Sequence, residues 1–283
     1  MLDYLIALAI LASVYTKLNI FLIKRAVKNK KNFEIIKGAE PYFLNAEGKK
    51  GVLIVHGFSG TAHELKELAN FFNKKGLTVH APLLSGHGTS PEHMFSAKLE
   101  DWIDDVKKAL SLMRNTCDEI YIVGFSFGGN LATLVAQEEE KVKGIICLST
   151  PFIFKYERSA RVMLNTLKHI KIFQKKRYSK KVVNIYSKHQ KITYPQIPLY
   201  AMVQMWKGVK NSRNQLNNIT KPVLLIQSTD DDFVSSKSLD YAFEKVSSNV
   251  KEKVLAKDSI HALIFDKNRF EYYEKIYEFI QKN

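Results

Sequence analysis

The sequence predicts an α/β domain built on a mostly parallel central sheet flanked by helices. From residue 51 onward, short apolar runs alternate with segments of helical period, which is typical of consecutive strand-helix units. The alternation breaks at about residues 152–198, where the sequence is basic and aromatic and shows no clear sheet strand, and it then resumes. We therefore expect one α/β domain over residues 33–283 with a small inserted cap at 152–198, preceded by an apolar N-terminal helix and basic flank in residues 1–32.

The individual elements follow from the apolar runs and from the turn residues that separate them. The predicted strands span residues 51–56, 77–80, 120–125, 143–148, 222–227 and 252–256. The predicted helices span residues 64–75, 99–113, 127–138, 198–217, 236–246 and 267–280. Because strands and helices alternate, the carboxyl ends of the strands are expected at one edge of the sheet.

The N-terminal segment is apolar enough to cross a membrane. Residues 4–23 are almost wholly apolar, and about 20 such residues suffice for a membrane-spanning helix. Lys17 interrupts the run at a cost of ~3 kcal/mol, but the surrounding aliphatic and aromatic residues together favour insertion by several kcal/mol. We therefore expect a single membrane anchor.

The residues around the apolar run predict its orientation and its retention. A basic cluster follows the run, namely Lys24, Arg25, Lys28, Lys30 and Lys31, so the positive-inside rule places the rest of the chain on the cytoplasmic face of the cell membrane. Asp3 precedes the run and no small-x-small site follows it, so cleavage as a signal peptide is not expected. Two alternatives stay open: a helix lying on the membrane surface and a helix docked on the domain.

The net charge of +15 raises the question of an anionic partner. A second basic cluster fills residues 155–191, where Glu157 is the sole acid between Pro151 and Tyr194. Neither cluster has zinc-finger spacing or an RNA-recognition aromatic signature, which favours anionic lipid over nucleic acid. A solvated lysine-rich surface is the alternative for the second cluster.

The pentapeptide Gly124-Phe125-Ser126-Phe127-Gly128 carries the strongest chemical signal. It matches the nucleophile elbow G-x-S-x-G, in which the glycines allow a strained strand-to-helix turn that exposes the serine hydroxyl. The predicted strand before it and helix after it provide that context. The sequence therefore predicts Ser126 as a nucleophile on an α/β-hydrolase fold.

A serine nucleophile requires a histidine base and a carboxylate that orients the histidine. His261 lies beyond the last predicted strand and is the only histidine after the candidate acids. The acid is expected after the strand at 222–227, where three consecutive aspartates, Asp230 to Asp232, stand. The chain order Ser, Asp, His is the one expected for this fold.

The acid loop also carries a family resemblance. Residues 227–234, Gln-Ser-Thr-Asp-Asp-Asp-Phe-Val, resemble the acid loop of bacterial carboxylesterases and monoacylglycerol lipases, in which the acid stands three residues before a Val or Ile. This register implies Asp231, with Asp230 and Asp232 as alternatives. The resemblance extends over residues 51–281, is weakest in the cap, and implies a lead-in at 41–50 in which the first two sheet strands are missing or reduced.

Two loops complete the resemblance. His56-Gly57-Phe58 is similar to the family's His-Gly-Phe loop, so the backbone amides of Phe58 and Phe127 are the predicted oxyanion-hole donors. The loop at residues 84–91 resembles the family's Pro-Gly-His-Gly loop, except that Ser85 replaces the usual proline, which should change loop stiffness.

No metal or cofactor motif is present, so no cofactor is expected. Cys117 and Cys147 are predicted to be too far apart for a disulfide, as suits a reducing compartment.

The predicted function is hydrolysis of a monoacyl ester, such as a monoacylglycerol, a lysophospholipid or a short carboxylester, through an acyl-serine intermediate. Phe58, Phe127, Phe152 and Phe154 are candidates to line the acyl pocket. Aminopeptidase or acyl-thioesterase activity uses the same residues and is an alternative. A non-catalytic binding protein with this fold is the alternative from a different class. The oligomeric state and the chain-length preference do not follow from the sequence.

Overall fold

The computed structural model describes residues 1–29, 33–176, 178 and 180–283. Lys30 and Lys31, predicted as part of the first basic cluster, lie outside these residues. The strands are β1 (Tyr42–Leu44), β2 (Lys50–Val55), β3 (Thr78–Ala81), β4 (Glu119–Phe125), β5 (Val142–Leu148), β6 (Phe173–Lys175), β7 (Gln196–Pro198), β8 (Val223–Ser228) and β9 (Lys251–Ala256).

The helices lie between these strands in the predicted alternation. They are α1 (Leu2–Asn29), α2 (Lys66–Lys74), α3 (Pro91–Ser96), α4 (Leu99–Met113), α5 (Phe127–Val135), α6 (Glu157–Leu167), α7 (Lys180–Lys188), α8 (Leu199–Gln215), α9 (Lys237–Lys245) and α10 (Arg269–Lys282). Short 3₁₀ turns precede α2 and extend α5.

Seven strands form one sheet in the order β1-β3-β2-β4-β5-β8-β9. Among the described strands of this sheet, β1 pairs antiparallel with β3, and the other neighbours pair in parallel. This mostly parallel sheet flanked by helices is the predicted α/β-hydrolase fold. Its parallel strands bring the loops after β2, β4, β8 and β9 to the same edge of the sheet.

The two faces of the sheet bury two separate hydrophobic cores. On β2, Val52 and Ile54 point into the core formed with α2 and α10, whereas Leu53 and Val55 point into the core formed with α4, α5, α8 and α9. This alternation follows from the two-residue period of a strand. Each fully buried Val, Leu or Ile contributes roughly 1.5–3 kcal/mol through removal from water. Strands buried on both faces explain the continuous apolar runs in the sequence.

The insertion between β5 and β8 contains α6, β6, α7 and β7 and leads into α8. Strand β6 pairs antiparallel with β7 in a two-stranded sheet of its own, with Phe173 opposite Pro198. We call residues 152–198 the cap. The cap contains two short strands that are not apparent in the sequence, because three-residue strands are too short to establish a period.

Two short elements near the sheet edge were also not predicted. Strand β1 lies in the lead-in at 41–50. It is three residues long and pairs antiparallel with β3. Helix α3 lies within the segment that follows the loop at 84–91. Ser90 caps this helix by accepting a hydrogen bond from the His93 amide at 3.2 Å, and Pro91 is its first residue. Serine at the N-cap and proline at the first position are the ordinary start signals of a helix.

Helix α1 is long and apolar enough to cross a membrane. Within the most apolar stretch of the helix, 6% of the residues are buried inside the protein. Large apolar side chains such as Leu5, Leu11 and Phe21 are exposed. The helix packs against α3, and the Lys24 ammonium lies 5.9 Å from the ring centre of Tyr200. An exposed apolar helix of this length requires a nonpolar environment or a partner.

Candidate active site

Ser126 lies in the sharp turn between β4 and α5. Its backbone has φ 52° and ψ −123°, and its amide donates a hydrogen bond to the Leu148 carbonyl at 2.7 Å. The flanking glycines permit this turn, because a Cβ on Gly124 would lie 2.3 Å from the Gly129 nitrogen. A Cβ on Gly128 would lie 2.1 Å from the Val55 oxygen. The G-x-S-x-G spacing is thus required by backbone contacts.

His261 lies in the loop after β9, where its ring faces both other candidate residues. Its Nε2 is 3.0 Å from the Ser126 Oγ, and its Nδ1 is 2.7 Å from the Asp231 Oδ2. The rings of Phe125 and Phe233 pack beside the imidazole, with centroids 5.6 and 5.4 Å away. The structure therefore brings the three residues predicted from the loops after β4, β8 and β9 into one hydrogen-bonded chain.

The Asp231 carboxylate is buried, with 1% of the residue exposed. Its Oδ1 accepts hydrogen bonds from the Phe233 and Val234 amides, both at 2.8 Å, and its Oδ2 accepts one from the Gln227 side chain at 3.0 Å. Burial raises the pKa of Asp231, but His261 and the two backbone amides outweigh burial and hold this pKa below its ordinary value. Asp231 is therefore ionised at neutral pH.

The neighbouring aspartates do not share this position. Asp230 and Asp232 are exposed, whereas Asp231 faces the imidazole. An ionised Asp231 accepts the Nδ1 proton of His261, which leaves the Nε2 lone pair directed at the Ser126 hydroxyl. In this tautomer the histidine is able to take a proton from the serine.

The Gly57-Phe58 peptide lies beside the nucleophile. A Cβ on Gly57 would be 3.1 Å from the Ser126 Cβ, so this loop passes directly next to the serine. The Gly57 carbonyl accepts hydrogen bonds from the Gly60 amide at 3.0 Å and from the His56 Nδ1 at 2.9 Å. Because a trans peptide points its N–H opposite to its C=O, these bonds fix the direction of the Phe58 amide.

His56 is a buried neutral histidine that holds two loops together. Burial lowers its pKa, and its Nε2 accepts a hydrogen bond from the Leu84 amide at 3.1 Å while Nδ1 bonds the Gly57 carbonyl. The second predicted oxyanion donor, Phe127, is the first residue of α5, so its amide has no acceptor within that helix. Both predicted amides therefore belong to backbone segments that adjoin Ser126.

A buried ion pair joins the cap to the Gly57 loop. The Lys191 ammonium lies 2.7 Å from the Glu64 carboxylate, and their side chains are 9% and 1% exposed. The same carboxylate accepts a hydrogen bond from the Gly57 amide at 3.2 Å. Burial alone would lower the pKa of Lys191, but Glu64 raises it above its ordinary value. This ion pair stiffens the loop that carries Phe58.

A cavity of about 460 Å³ opens onto Ser126 and His261. One part of its wall is apolar and is formed mainly by the cap and α8, with the side chains Phe154, Met163, Leu164, Leu167, Ile197, Leu199, Met202, Met205 and Trp206. Phe58, Phe127 and Phe154 line it as predicted. The prediction for Phe152 was wrong: this residue is 2% exposed, packs in the core, and its amide bonds the Ser238 hydroxyl.

The loop at 84–91 was expected to differ in stiffness because Ser85 stands in place of a proline. Two hydrogen bonds hold the backbone at Ser85. The Ser85 amide donates to the Asp105 carboxylate at 2.6 Å, and the Ser85 carbonyl accepts from the Trp102 indole at 2.9 Å. Proline has no N–H and would forfeit the first of these bonds. Ser85 therefore adds one hydrogen bond that a proline at this position could not make.

The cysteines do not contribute to this chemistry. Cys117 and Cys147 are free and buried, in line with the expected absence of a disulfide. Burial raises the pKa of Cys147 to about 12, so its thiol stays protonated. In the described residues, no group of three or more His, Cys, Asp or Glu side chains is placed to hold a metal ion.

Sequence reasoning did not find Glu64, Lys176 or Lys191. Glu64 lies in a turn before an amphipathic helix, where an acid is ordinarily solvated, and the two lysines lie in a lysine-rich segment. The Glu64-Lys191 contact joins residues more than 100 positions apart in the chain. No local pattern indicates such contacts.

Comparison with known proteins places the chain in a family. Residues 46–268 match the family described as serine aminopeptidase S33. A thermostable monoacylglycerol lipase of Bacillus sp. (strain H-257) is 28% identical over 255 residues, covering 89% of this chain and 98% of the relative. A carboxylesterase of Bacillus subtilis (strain 168) is 26% identical over 237 residues, covering 83% of this chain and 94% of the relative.

A solved structure from work on the metagenome-derived lipolytic enzymes LipS and LipT has the same fold. It is 26% identical, covers 88% of this chain and 100% of its own, and superposes with a TM-score of 0.81. Since the family match spans most of the sequence and the fold agrees with it, the chain belongs to the serine aminopeptidase S33 family of α/β hydrolases.

Proposed function

We propose that this protein hydrolyses carboxylic esters, with Ser126 as nucleophile, His261 as general base and Asp231 as the carboxylate that orients the histidine. The observation that carries the proposal is the continuous chain of hydrogen bonds from Asp231 through His261 to Ser126, with distances of 2.7 and 3.0 Å. The names of the Bacillus relatives, a monoacylglycerol lipase and a carboxylesterase, support ester hydrolysis.

In the first half of the reaction, the Ser126 Oγ bonds to the ester carbonyl carbon while His261 Nε2 takes its proton. The carbonyl electron pair moves onto oxygen, and the Phe58 and Phe127 amides donate to this oxyanion; removing one such donor typically costs about 10²- to 10³-fold in rate. The intermediate then collapses, the ester C–O bond breaks, and His261 gives its proton to the leaving alcohol. An acyl-serine remains.

In the second half, water attacks the acyl carbon while His261 accepts a proton from it. Collapse of this intermediate breaks the bond to the serine oxygen, which regains its proton from His261. The carboxylic acid leaves and the enzyme returns to its initial state. Throughout, the ionised Asp231 stabilises the imidazolium form of His261 that exists between proton transfers.

The cavity supports a monoacyl substrate. An apolar wall of aromatic and aliphatic side chains next to Ser126 suits one acyl chain, and a volume of about 460 Å³ lies in the range of small-ligand pockets. Monoacylglycerols, lysophospholipids and short carboxylesters share this requirement. Recognition of a peptide's free ammonium group would call for an unpaired buried carboxylate, but Glu64 is paired with Lys191. The site therefore favours esters over aminopeptidase substrates.

Helix α1 is proposed to anchor the enzyme to the cell membrane, with the catalytic domain on the cytoplasmic side. Its exposed apolar surface and the basic residues at its end, among them Lys24, Arg25 and Lys28, support this placement. A signal sequence has a similar pattern, so the test must follow the helix itself. An anchored enzyme would meet acyl lipids at the membrane surface where they reside.

The test compares the full chain with a variant that begins at Phe33. We expect both to hydrolyse p-nitrophenyl butyrate at rates within about twofold of each other, because α1 adds no residue to the cavity wall. Only the full chain should sediment with vesicles or fractionate with membranes. An absence of hydrolysis of any p-nitrophenyl ester or monoacylglycerol by both proteins contradicts the proposed activity, and membrane binding by the shortened protein contradicts the anchor.

A further inference from the structure

The charges on the cavity wall are unequal. Four lysines line the cavity, namely Lys155, Lys175, Lys176 and Lys191, against two carboxylates, Glu64 and Asp232. Lys155, Lys175 and Asp232 are exposed near the entrance, where water screens them. Glu64, Lys176 and Lys191 are less exposed than these, and protonation of Lys176 leaves the three with one excess positive charge.

Lys191 and Glu64 neutralise each other, but Lys176 has no such partner. The Lys176 ammonium donates a hydrogen bond to the Thr193 hydroxyl. Within the described part of the chain, no carboxylate lies within 4.0 Å of it. An ammonium group has three donors, so a bond to one hydroxyl leaves two of them available to a ligand in the cavity.

Burying this lysine in the cavity wall is unfavourable for its charged form. Burial, together with the nearby Lys191 charge, lowers the pKa of Lys176 to about 7, and Glu64 offsets only part of this. A cation that loses hydration without gaining a counter-ion destabilises the protein. An anion bound from solution would restore the missing interaction.

Hydrogen bonds connect Lys176 to the loop that passes next to Ser126. The Thr193 hydroxyl that accepts from Lys176 donates in turn to the Ser59 carbonyl at 2.6 Å, and Ser59 directly follows Phe58. Lys176 is thus connected through Thr193 to the loop of the proposed oxyanion donor. Lys176, Ser126 and the apolar side chains line the same cavity.

We propose that the polar region around Lys176 binds an anionic group, a phosphate or a carboxylate, carried on the alcohol portion of the ester, with Lys176 as its counter-ion. This inference rests on the proposed ester hydrolysis and specifies its substrate class: anionic monoacyl esters are preferred to neutral ones. Lys176 acts as a specificity-determining residue. It takes no part in the proton transfers at Ser126.

The experiment measures kcat/KM of the full chain in nonionic detergent micelles for two substrates with the same acyl chain, lysophosphatidylglycerol and monoacylglycerol. Dividing one kcat/KM value by the other cancels any effect of a mutation that is the same for both substrates. We expect Lys176→Met to lower kcat/KM for the anionic substrate by about tenfold or more, mainly through KM, and to change the value for the neutral substrate by less than about threefold. Lys176→Arg, which keeps the charge, should retain most of the preference.

Lys168→Met is the matched control, because Lys168 is a partly exposed cap lysine outside the cavity wall. It should leave the ratio unchanged. An equal loss on both substrates in Lys176→Met would show a structural role and overturn the inference, as would an unchanged ratio. If the wild-type enzyme hydrolyses neither ester, the proposed ester hydrolysis is contradicted. If it hydrolyses both esters and the ratio of kcat/KM values does not depend on Lys176, only the proposed preference for anionic substrates is contradicted.

Discussion

Replacing Ser126 by alanine should lower kcat for ester hydrolysis by at least about 10⁴-fold. The expected loss is this large because the hydroxyl forms the covalent bond to the substrate, and no other described side chain donates a hydrogen bond to His261 Nε2. Substrate binding should change little, since the apolar wall is intact. The measurement is kcat and KM with p-nitrophenyl butyrate, together with the melting temperature.

Ser149→Ala provides the control for this variant. Ser149 also has a positive φ, of 45°, and follows the neighbouring strand β5, but its hydroxyl bonds Ser228 at 3.2 Å and does not line the cavity. We expect a loss of about 1 kcal/mol in the free energy of unfolding and near wild-type kcat. Retention of a few per cent or more of wild-type activity by Ser126→Ala would be incompatible with a serine nucleophile at this position.

Replacing Asp231 by asparagine should lower kcat by about 10⁴-fold while the fold persists. The asparagine oxygen is able to keep the hydrogen bonds from the Phe233 and Val234 amides, so its NH₂ group then faces His261. Nδ1 must then accept a hydrogen bond rather than donate one, which places the ring proton on Nε2 and leaves no lone pair there to take the Ser126 proton. The pH profile of kcat should be measured for this variant alongside its melting temperature.

The two adjacent aspartates offer matched controls for this effect. Asp230→Asn and Asp232→Asn make the same chemical change at exposed positions and should keep kcat within about threefold of wild type. A large loss in either of them, with activity retained in Asp231→Asn, would assign the acid to a different residue. The three variants together decide among consecutive aspartates that the sequence leaves open.

The sheet and the nucleophile turn were predictable because their signals are local. A strand buried on both faces produces an apolar run, and the nucleophile turn is indicated by five consecutive residues whose glycines leave room for neighbouring backbone. The relative positions of Ser126, Asp231 and His261 also follow from the sequence, since parallel strands end at one edge. The choice among three aspartates depended on family resemblance, because all three have the same local pattern.

The cap and the charged wall of the cavity were not predictable in the same way. Strands β6 and β7 are too short to show a period, and the Glu64-Lys191 pair joins residues that are far apart in the chain. Phe152 and Phe154 illustrate the same limit: both follow β5, yet one packs in the core and the other lines the cavity. Only the path of the backbone after Pro151 distinguishes them.

The most direct test of the account is identification of the residue that an ester-like electrophile modifies. The full chain is treated with a fluorophosphonate until hydrolysis of p-nitrophenyl butyrate stops, then digested and sequenced by mass spectrometry. We expect a single adduct on Ser126, formed in step with the loss of activity and absent from Ser126→Ala. An adduct on a different residue that accompanies inactivation, or full activity after complete modification of Ser126, would contradict it.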